Sequence, residues 1–129
     1  MARGVVVRAA HYPGRAPIES YGNGGFRFAA MSHRGSLICL PSGIYGWQAP
    51  APGAIDAASL ETVFAEADAI HVLLVGTGLD LVPLSPMLRE HCRAAGIVAE
   101  PMSTGAAVRT YNVLLAEERA VAAALIAVD

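Results

Sequence analysis

The sequence has no lysine. All nine of its basic residues are arginines, scattered along the chain, and the net charge is −2. No polybasic patch appears among them, and the net charge gives no electrostatic case for a nucleic-acid partner. Charge of either sign is scarce, 16% of residues against 54% hydrophobic, a balance that argues against disorder. Long apolar runs are lacking as well. The longest uninterrupted one, residues 120–128, is too short to span a bilayer. The opening residues 1–8 hold no apolar run of secretory length, so the cytoplasm is the expected compartment. Cysteine is limited to Cys39, in a strand-like apolar run, and Cys92, in a helical one. In both settings a thiol acts as a small hydrophobe, and two free thiols are expected. At 129 residues the chain is read as one domain, with residues 1–17 a poorly informative arm around Val5-Val6-Val7.

What is present is organised around residues 102–115. Ser103 or Thr104 can cap a helix, and Ala107, Tyr111, Leu114 and Leu115 then share one face as a buried stripe. Arg109 and Asn112 fall on another face, with Gly105 below them. A cation in the first turns of a helix opposes the macrodipole by about 0.3–1 kcal/mol, so Arg109 requires a carboxylate, an anion or a partner to hold it. Upstream, residues 97–100 read as a short strand.

The front half reads as short strands joined by glycine and proline turns. Asn23-Gly24 marks a tight turn, with Phe26 and Phe28 on one face of the next strand and Arg27 on the other. His33-Arg34-Gly35-Ser36 reads as another turn, Leu37 to Leu40 as a buried strand, and Ile44 to Trp47 as its continuation. Leu60, Val63, Phe64 and Ala67 then predict a helix over residues 56 to about 67, capped by Asp56 or Ser59. Residues 70–75 form the continuous apolar run of a strand buried on both faces. Ser85-Pro86 opens a helix with Leu88, His91, Cys92 and Ala95 as its stripe, and Gly96 stops it. The tail, residues 120–128, is alanine-rich yet β-branched at Val121, Ile126 and Val128, and is read as a strand.

Gly76-Thr77-Gly78 after a buried strand invites a dinucleotide reading. The third glycine is missing, however, residues 79–83 separate the loop from its helix, and Asp80 would repel phosphate. His11, His33, His71 and His91 lie far apart, and His91 and Cys92 diverge on their helix, so no metal is expected. Ser42 lacks the preceding glycine of a nucleophile elbow. Gly24-Gly25, Gly76-Thr77-Gly78 and Thr104-Gly105 are bends near strand ends. If they converge, Arg109, Thr110, Tyr21, Tyr111 and Asn112 frame a small polar hollow; otherwise the glycines serve turn geometry alone.

Residues 21–28, the Gly76-Thr77-Gly78 loop and residues 102–115 resemble one small family. It includes the mitochondrial NADH dehydrogenase (complex I) alpha-subcomplex assembly factor three and Mth938-type domain proteins, along with many bacterial members. The resemblance runs from about Glu19 to Val128. It implies a three-layer α/β domain around a mixed sheet with an antiparallel last strand, a β-rich front half, no cofactor and no established enzymatic activity. It also implies protein partners, at the inner membrane for an assembly role. A bacterial member is expected to carry no mitochondrial targeting extension.

Two function classes follow. One is a non-enzymatic binding or assembly module, marked by a flat apolar patch around Phe26, Trp47 or Tyr45. The other is a small-molecule or anion binder, an enzyme among them, using a pocket around Arg109 and the glycine loops. Because the glycine loop lacks the dinucleotide fingerprint and carries Asp80, isothermal titration with NAD(H) is expected to show no micromolar binding.

Overall fold

The computed structural model describes residues 11–49 and 51–129. Val5-Val6-Val7 lies outside them. Three strands, β1 (Ile18–Gly22), β2 (Gly25–Phe28) and β3 (Met31–Arg34), form an antiparallel meander. Its first turn is the expected one: Asn23 and Gly24 have φ of 54° and 80°, so both lie in the left-handed region that a tight hairpin needs. The second turn corrects the sequence reading. Ala29 and Ala30 take φ of 48° and 62°, a conformation that costs an ordinary residue about 1–2 kcal/mol. The Glu19 carboxylate accepts the Ala30 N–H at 3.3 Å. His33 and Arg34 therefore belong to strand β3, and the bend expected across residues 33–36 is confined to Gly35, with φ of 102°.

The main sheet has five strands in the order β5-β4-β8-β6-β7: β4 (Ser36–Leu40), β5 (Gly43–Trp47), β6 (Val72–Gly76), β7 (Val98–Met102) and β8 (Val121–Leu125). Within the alanine-rich tail, Val121–Leu125 is thus a strand, every residue of it buried, while Ala120 and residues 126–128 lie outside it. It runs antiparallel to β4 and parallel to β6. The antiparallel relation implied for the last strand holds on the β4 side, and β8 is the seam between the antiparallel and parallel halves. Leu73 and Val75 face one side of the sheet and Leu74 the other, as the pleat requires.

Each face carries its own core. On one, α1 (Glu61–Ala65) and α2 (Pro86–Ala94) bring Val63, Leu88 and Cys92 onto Ile38, Leu40, Ala122 and Ala124. On the other, α3 (Thr104–Ala116) and the meander bring Ala107, Val108, Tyr111, Phe26 and Phe28 onto Leu37, Cys39, Ala123 and Leu125. This is a three-layer α/β domain. Helix α2 starts and stops as its sequence signals: Ser85 Oγ accepts the Leu88 N–H at 3.1 Å, and Gly96, at φ 80°, closes the end. There the Ile97 and Gly96 N–H groups return to the Cys92 and Arg93 carbonyls at 2.9 and 3.0 Å. His91 is exposed beside the Phe64 ring rather than part of the buried stripe.

The helix expected over residues 56 to about 67 is shorter. Asp56 and Ser59 bond each other, Ser59 N–H to Asp56 Oδ1 at 2.8 Å and Asp56 N–H to Ser59 Oγ at 2.9 Å. Only residues 61–65 are α-helical, and Ala67–Ala69 tightens to a 3-10 turn.

Cys39 and Cys92 are both free and buried. Burial pushes the Cys39 thiol up to about 12 and raises the adjoining Tyr111 phenol. Above the ordinary thiol range, about 8.5, the unfolded chain gives up protons that the native chain keeps, so stability falls as pH rises. Melting temperatures taken between about pH 8 and about pH 11 are expected to fall steadily, with a shallower slope in Cys39→Ala.

Candidate functional site

Two of the three glycine bends, Gly76-Thr77-Gly78 and Thr104-Gly105, meet directly, and Gly24 reaches them only across residues 126–128. Ile126 N–H donates to the Gly76 carbonyl at 2.9 Å, and Gly24 N–H donates to the Val128 carbonyl at 2.8 Å. Thr104 Oγ1 donates to the Ile126 carbonyl at 2.7 Å and accepts the Gly78 N–H at 3.0 Å, while Thr104 N–H donates to the Gly78 carbonyl at 2.8 Å. Residues 126–128 therefore run between the bends, bonded to each. Thr104 is fully buried and Thr77 nearly so.

Gly76 and Gly105 serve close approach, whereas Gly78 serves a backbone turn at φ 110°. A Cβ on Gly76 would sit 2.9 Å from Thr104 Cα and 3.0 Å from Thr104 Oγ1. A Cβ on Gly105 would overlap the Tyr21 hydroxyl, so Gly105 is where the meander leans on α3. Ser103 caps that helix, its Oγ accepting the Ala106 N–H at 3.3 Å. Thr77 Oγ1 donates to the Asp80 carbonyl at 2.7 Å and accepts the Val82 N–H at 2.9 Å, folding the loop after β6 back on itself.

Asn112 makes the two bonds of a strand residue: its Oδ1 accepts the Ile18 N–H and its Nδ2 donates to the Ile18 carbonyl, both at 2.9 Å. It stitches β1 to α3. Arg109 and Thr110 follow a different pattern. Arg109 is exposed, and it has no ion pair among the described residues, while the undescribed ones carry no carboxylate side chain. Thr110 is half-buried and Tyr111 lies in the core. Gly24 and Gly25 stay with the meander, across the tail from the Gly76 loop.

Two features were not legible in the sequence. The apolar surface lies elsewhere than expected: Phe26 and Trp47 are buried, Trp47 Nε1 donates to the Ser59 carbonyl at 2.8 Å, and Tyr45 is half-buried against Ser42. Four exposed large apolar side chains, Leu79 at 77%, Leu81 at 57%, Val82, and Met87 at 84%, lie instead within the loop after β6 and the first turn of α2, with Tyr21, Val98 and Val113 exposed singly elsewhere. The signal was an apolar run with neither helical nor strand period. The second feature is a cleft of about 400 Å³ on the outer face of the meander, lined by Arg27 and Arg34. No helix among the described residues is long and apolar enough to cross a membrane.

A family model described as a protein of unknown function (DUF498/DUF598) matches residues 18–126. An uncharacterized protein of Rhodobacter capsulatus is 41% identical over 115 residues, 89% of this chain and 87% of that protein. The Xenopus tropicalis NADH dehydrogenase [ubiquinone] 1 alpha subcomplex assembly factor 3 is 32% identical over 109 residues, 84% of this chain. The chain spans only 60% of that assembly factor. Among solved structures, one described as an outer membrane protein from Bartonella henselae superposes with a TM-score of 0.89 at 58% identity, over 92% of this chain and 100% of that one. A Mth938-like domain of Bordetella pertussis superposes at 0.76 with 28% identity, over 86% of this chain and 85% of that one.

The contrast between Thr104 and Arg109 can be measured. Thr104→Val strands the Ile126 carbonyl and the Gly78 N–H and should cost at least about 1–3 kcal/mol in urea melts. Tyr111→Ala should cost about 3–5 kcal/mol. Arg109→Ala should stay within about 0.5 kcal/mol of the wild type.

Proposed function

The chain belongs to the DUF498/DUF598 family, and we propose that it is a non-enzymatic binding or assembly module that docks on a protein partner. The observation that carries this reading is the exposed apolar loop. Leu79, Leu81, Val82 and Met87 hold their side chains in water, where burial of each leucine or methionine would gain about 1.5–3 kcal/mol. The loop is not loose, since Thr77 Oγ1 and the Thr104–Gly78 bonds fix its base. A rigid base under apolar side chains is the arrangement of a preorganised contact.

Kinship with the complex I assembly factors supports a protein partner, and by analogy one among the subunits of a respiratory NADH–quinone oxidoreductase at the inner membrane. On α3, Arg109 and the exposed Val113 stand four residues apart, one turn along, and form a second point of contact. Thr77, Thr104, Gly76, Gly78 and Gly105 act from below by holding the surface in place.

Capture from the host under mild conditions, with captured proteins identified by mass, tests the reading. Subunits of the oxidoreductase should be recovered by the wild type and by Tyr45→Phe. Leu79→Asp/Leu81→Asp should lose them while melting normally, and Arg109→Ala should weaken recovery. Equal recovery by wild type and the double variant would overturn the assigned surface. Recovery of no such subunit, together with intact oxidoreductase in a strain deleted for this protein, would overturn the assembly role.

A further inference from the structure

The outer face of the meander carries two arginines that form no ion pair among the described residues. Strand register places Ser20, Arg27 and Ser32 in one row across β1, β2 and β3, and Gly22, Gly25 and Arg34 in the row two residues along. Both rows face outward, because residues two apart on a strand share a face. Arg27 and Arg34 are diagonal neighbours on adjacent strands, with backbones about 7–8 Å apart. Arg27 Nη1 donates to Ser32 Oγ at 2.7 Å, which aims the guanidinium, and its other N–H groups make no hydrogen bond among the described residues. Arg34 lies over the turn, its Nη1 3.9 Å from where a Cβ on Gly24 would stand.

Neither arginine has an ion pair among the described residues, and residues 1–10 and 50 include no aspartate or glutamate. Glu19, on the neighbouring strand, has its carboxylate on the Ala30 N–H and does not line the cleft. Arg27 and Arg34 thus line a cleft of about 400 Å³ together with Ser20, Ser32, Gly22 and Gly25. That volume falls in the range of small-molecule sites, about 300–1,000 Å³.

We infer that this cleft is a binding site for a small phosphate oxyanion, either inorganic phosphate or the phosphate group of a small monoester. Like charges on adjacent strands repel, and an oxyanion between them converts that repulsion into attraction. Planar guanidiniums offer paired N–H groups that match phosphate oxygens, and serine hydroxyls complete a donor set around a tetrahedral group. At Gly22 nothing lies within 4 Å of where a Cβ would stand, so an anion can approach the turn there without meeting a side chain. This site is separate from the apolar loop and from Arg109, and stands or falls independently of the partner proposed above.

Titration of the full chain with inorganic phosphate and, in a parallel arm, phenyl phosphate, followed by backbone amide NMR, tests the inference. Saturable shifts are expected at Gly22, Gly24, Gly25 and Arg34. Arg34→Gln is the decisive variant, because the Arg34 side chain makes no hydrogen bond or ion pair among the described residues and the substitution should leave the fold intact. It should weaken binding at least about tenfold. Arg27→Gln should do the same, with a thermal melt confirming folding, and Arg109→Ala should bind as the wild type does. Equal affinity for the two probes identifies free phosphate as sufficient, and tighter phenyl phosphate identifies a monoester; either supports the site. Absence of saturable shifts at the meander, unchanged binding in Arg34→Gln, or an equal loss in Arg109→Ala would overturn it.

Discussion

One buried hydroxyl ties the domain together. Thr104 Oγ1 joins the Ile126 carbonyl to the Gly78 N–H, and so links the first turn of α3, the exit of β6 and the end of β8. Those three segments lie far apart in sequence and would otherwise leave polar backbone groups exposed to a dry interior, at about 1–3 kcal/mol for each unsatisfied group. The bond also explains Gly76. With any side chain there, Thr104 could not come close enough to reach both partners. Position 104 must supply a donor and an acceptor on a short β-carbon stem, which threonine does and valine, of similar shape, does not.

The lock would be useless if the layers could not close, and here the poverty of β8 matters. Ala122 and Ala124 face the α1 and α2 side while Ala123 faces α3. A central strand of small residues lets larger groups from both outer layers reach across: Tyr111 and Phe28 from one side, Leu88 and Leu60 from the other. Close packing of this kind is what makes a single large-to-small change at Tyr111 expensive, since no neighbour is free to fill the gap. The same closure dries the Cys39 thiol, which is why its ionisation is deferred to alkaline pH.

Where the sequence was readable, a local rule and the tertiary structure agreed. Asn23-Gly24, Ser85-Pro86, Gly96 and the run through Val75 each carry a signal that survives packing. The Ala29-Ala30 turn carries none: alanine disfavours positive φ, and the turn exists because both flanking strands are held by the sheet. In residues 56–67 the apolar spacing correctly reports which side faces the sheet. It does not report whether helical hydrogen bonds continue, and the Asp56–Ser59 pair and the 3-10 turn at Ala67–Ala69 interrupt them. Asn112 shared a face with Arg109 in the helical projection, yet only the structure shows it engaged with Ile18 while Arg109 has no ion pair among the described residues. The arginine cleft was hidden because β3 itself was hidden, and without its register Arg27 and Arg34 are two scattered charges.

These differences bear on what family membership can carry. The residues with the most specific spacing, Gly76, Thr77, Gly78, Thr104, Gly105 and Asn112, direct their polar atoms or their missing side chains inward. A relative that keeps them keeps the frame, since Gly76, Thr104, Gly105 and Asn112 join elements and Thr77 and Gly78 shape the loop after β6. Nothing in that requirement constrains Leu79, Leu81, Met87, Arg34 or Arg109, whose side chains project from the frame and can vary without disturbing it. Affinity for a partner is set by a few such projecting residues, so two chains can share every inward residue and still differ in what they hold. The assembly factor of Xenopus tropicalis has further length that this chain does not match, and that length can contribute contacts of its own. The fold is therefore transferable at a third of identical residues, whereas a shared partner depends on the loop after β6, the exposed face of α3 and the outer face of the meander.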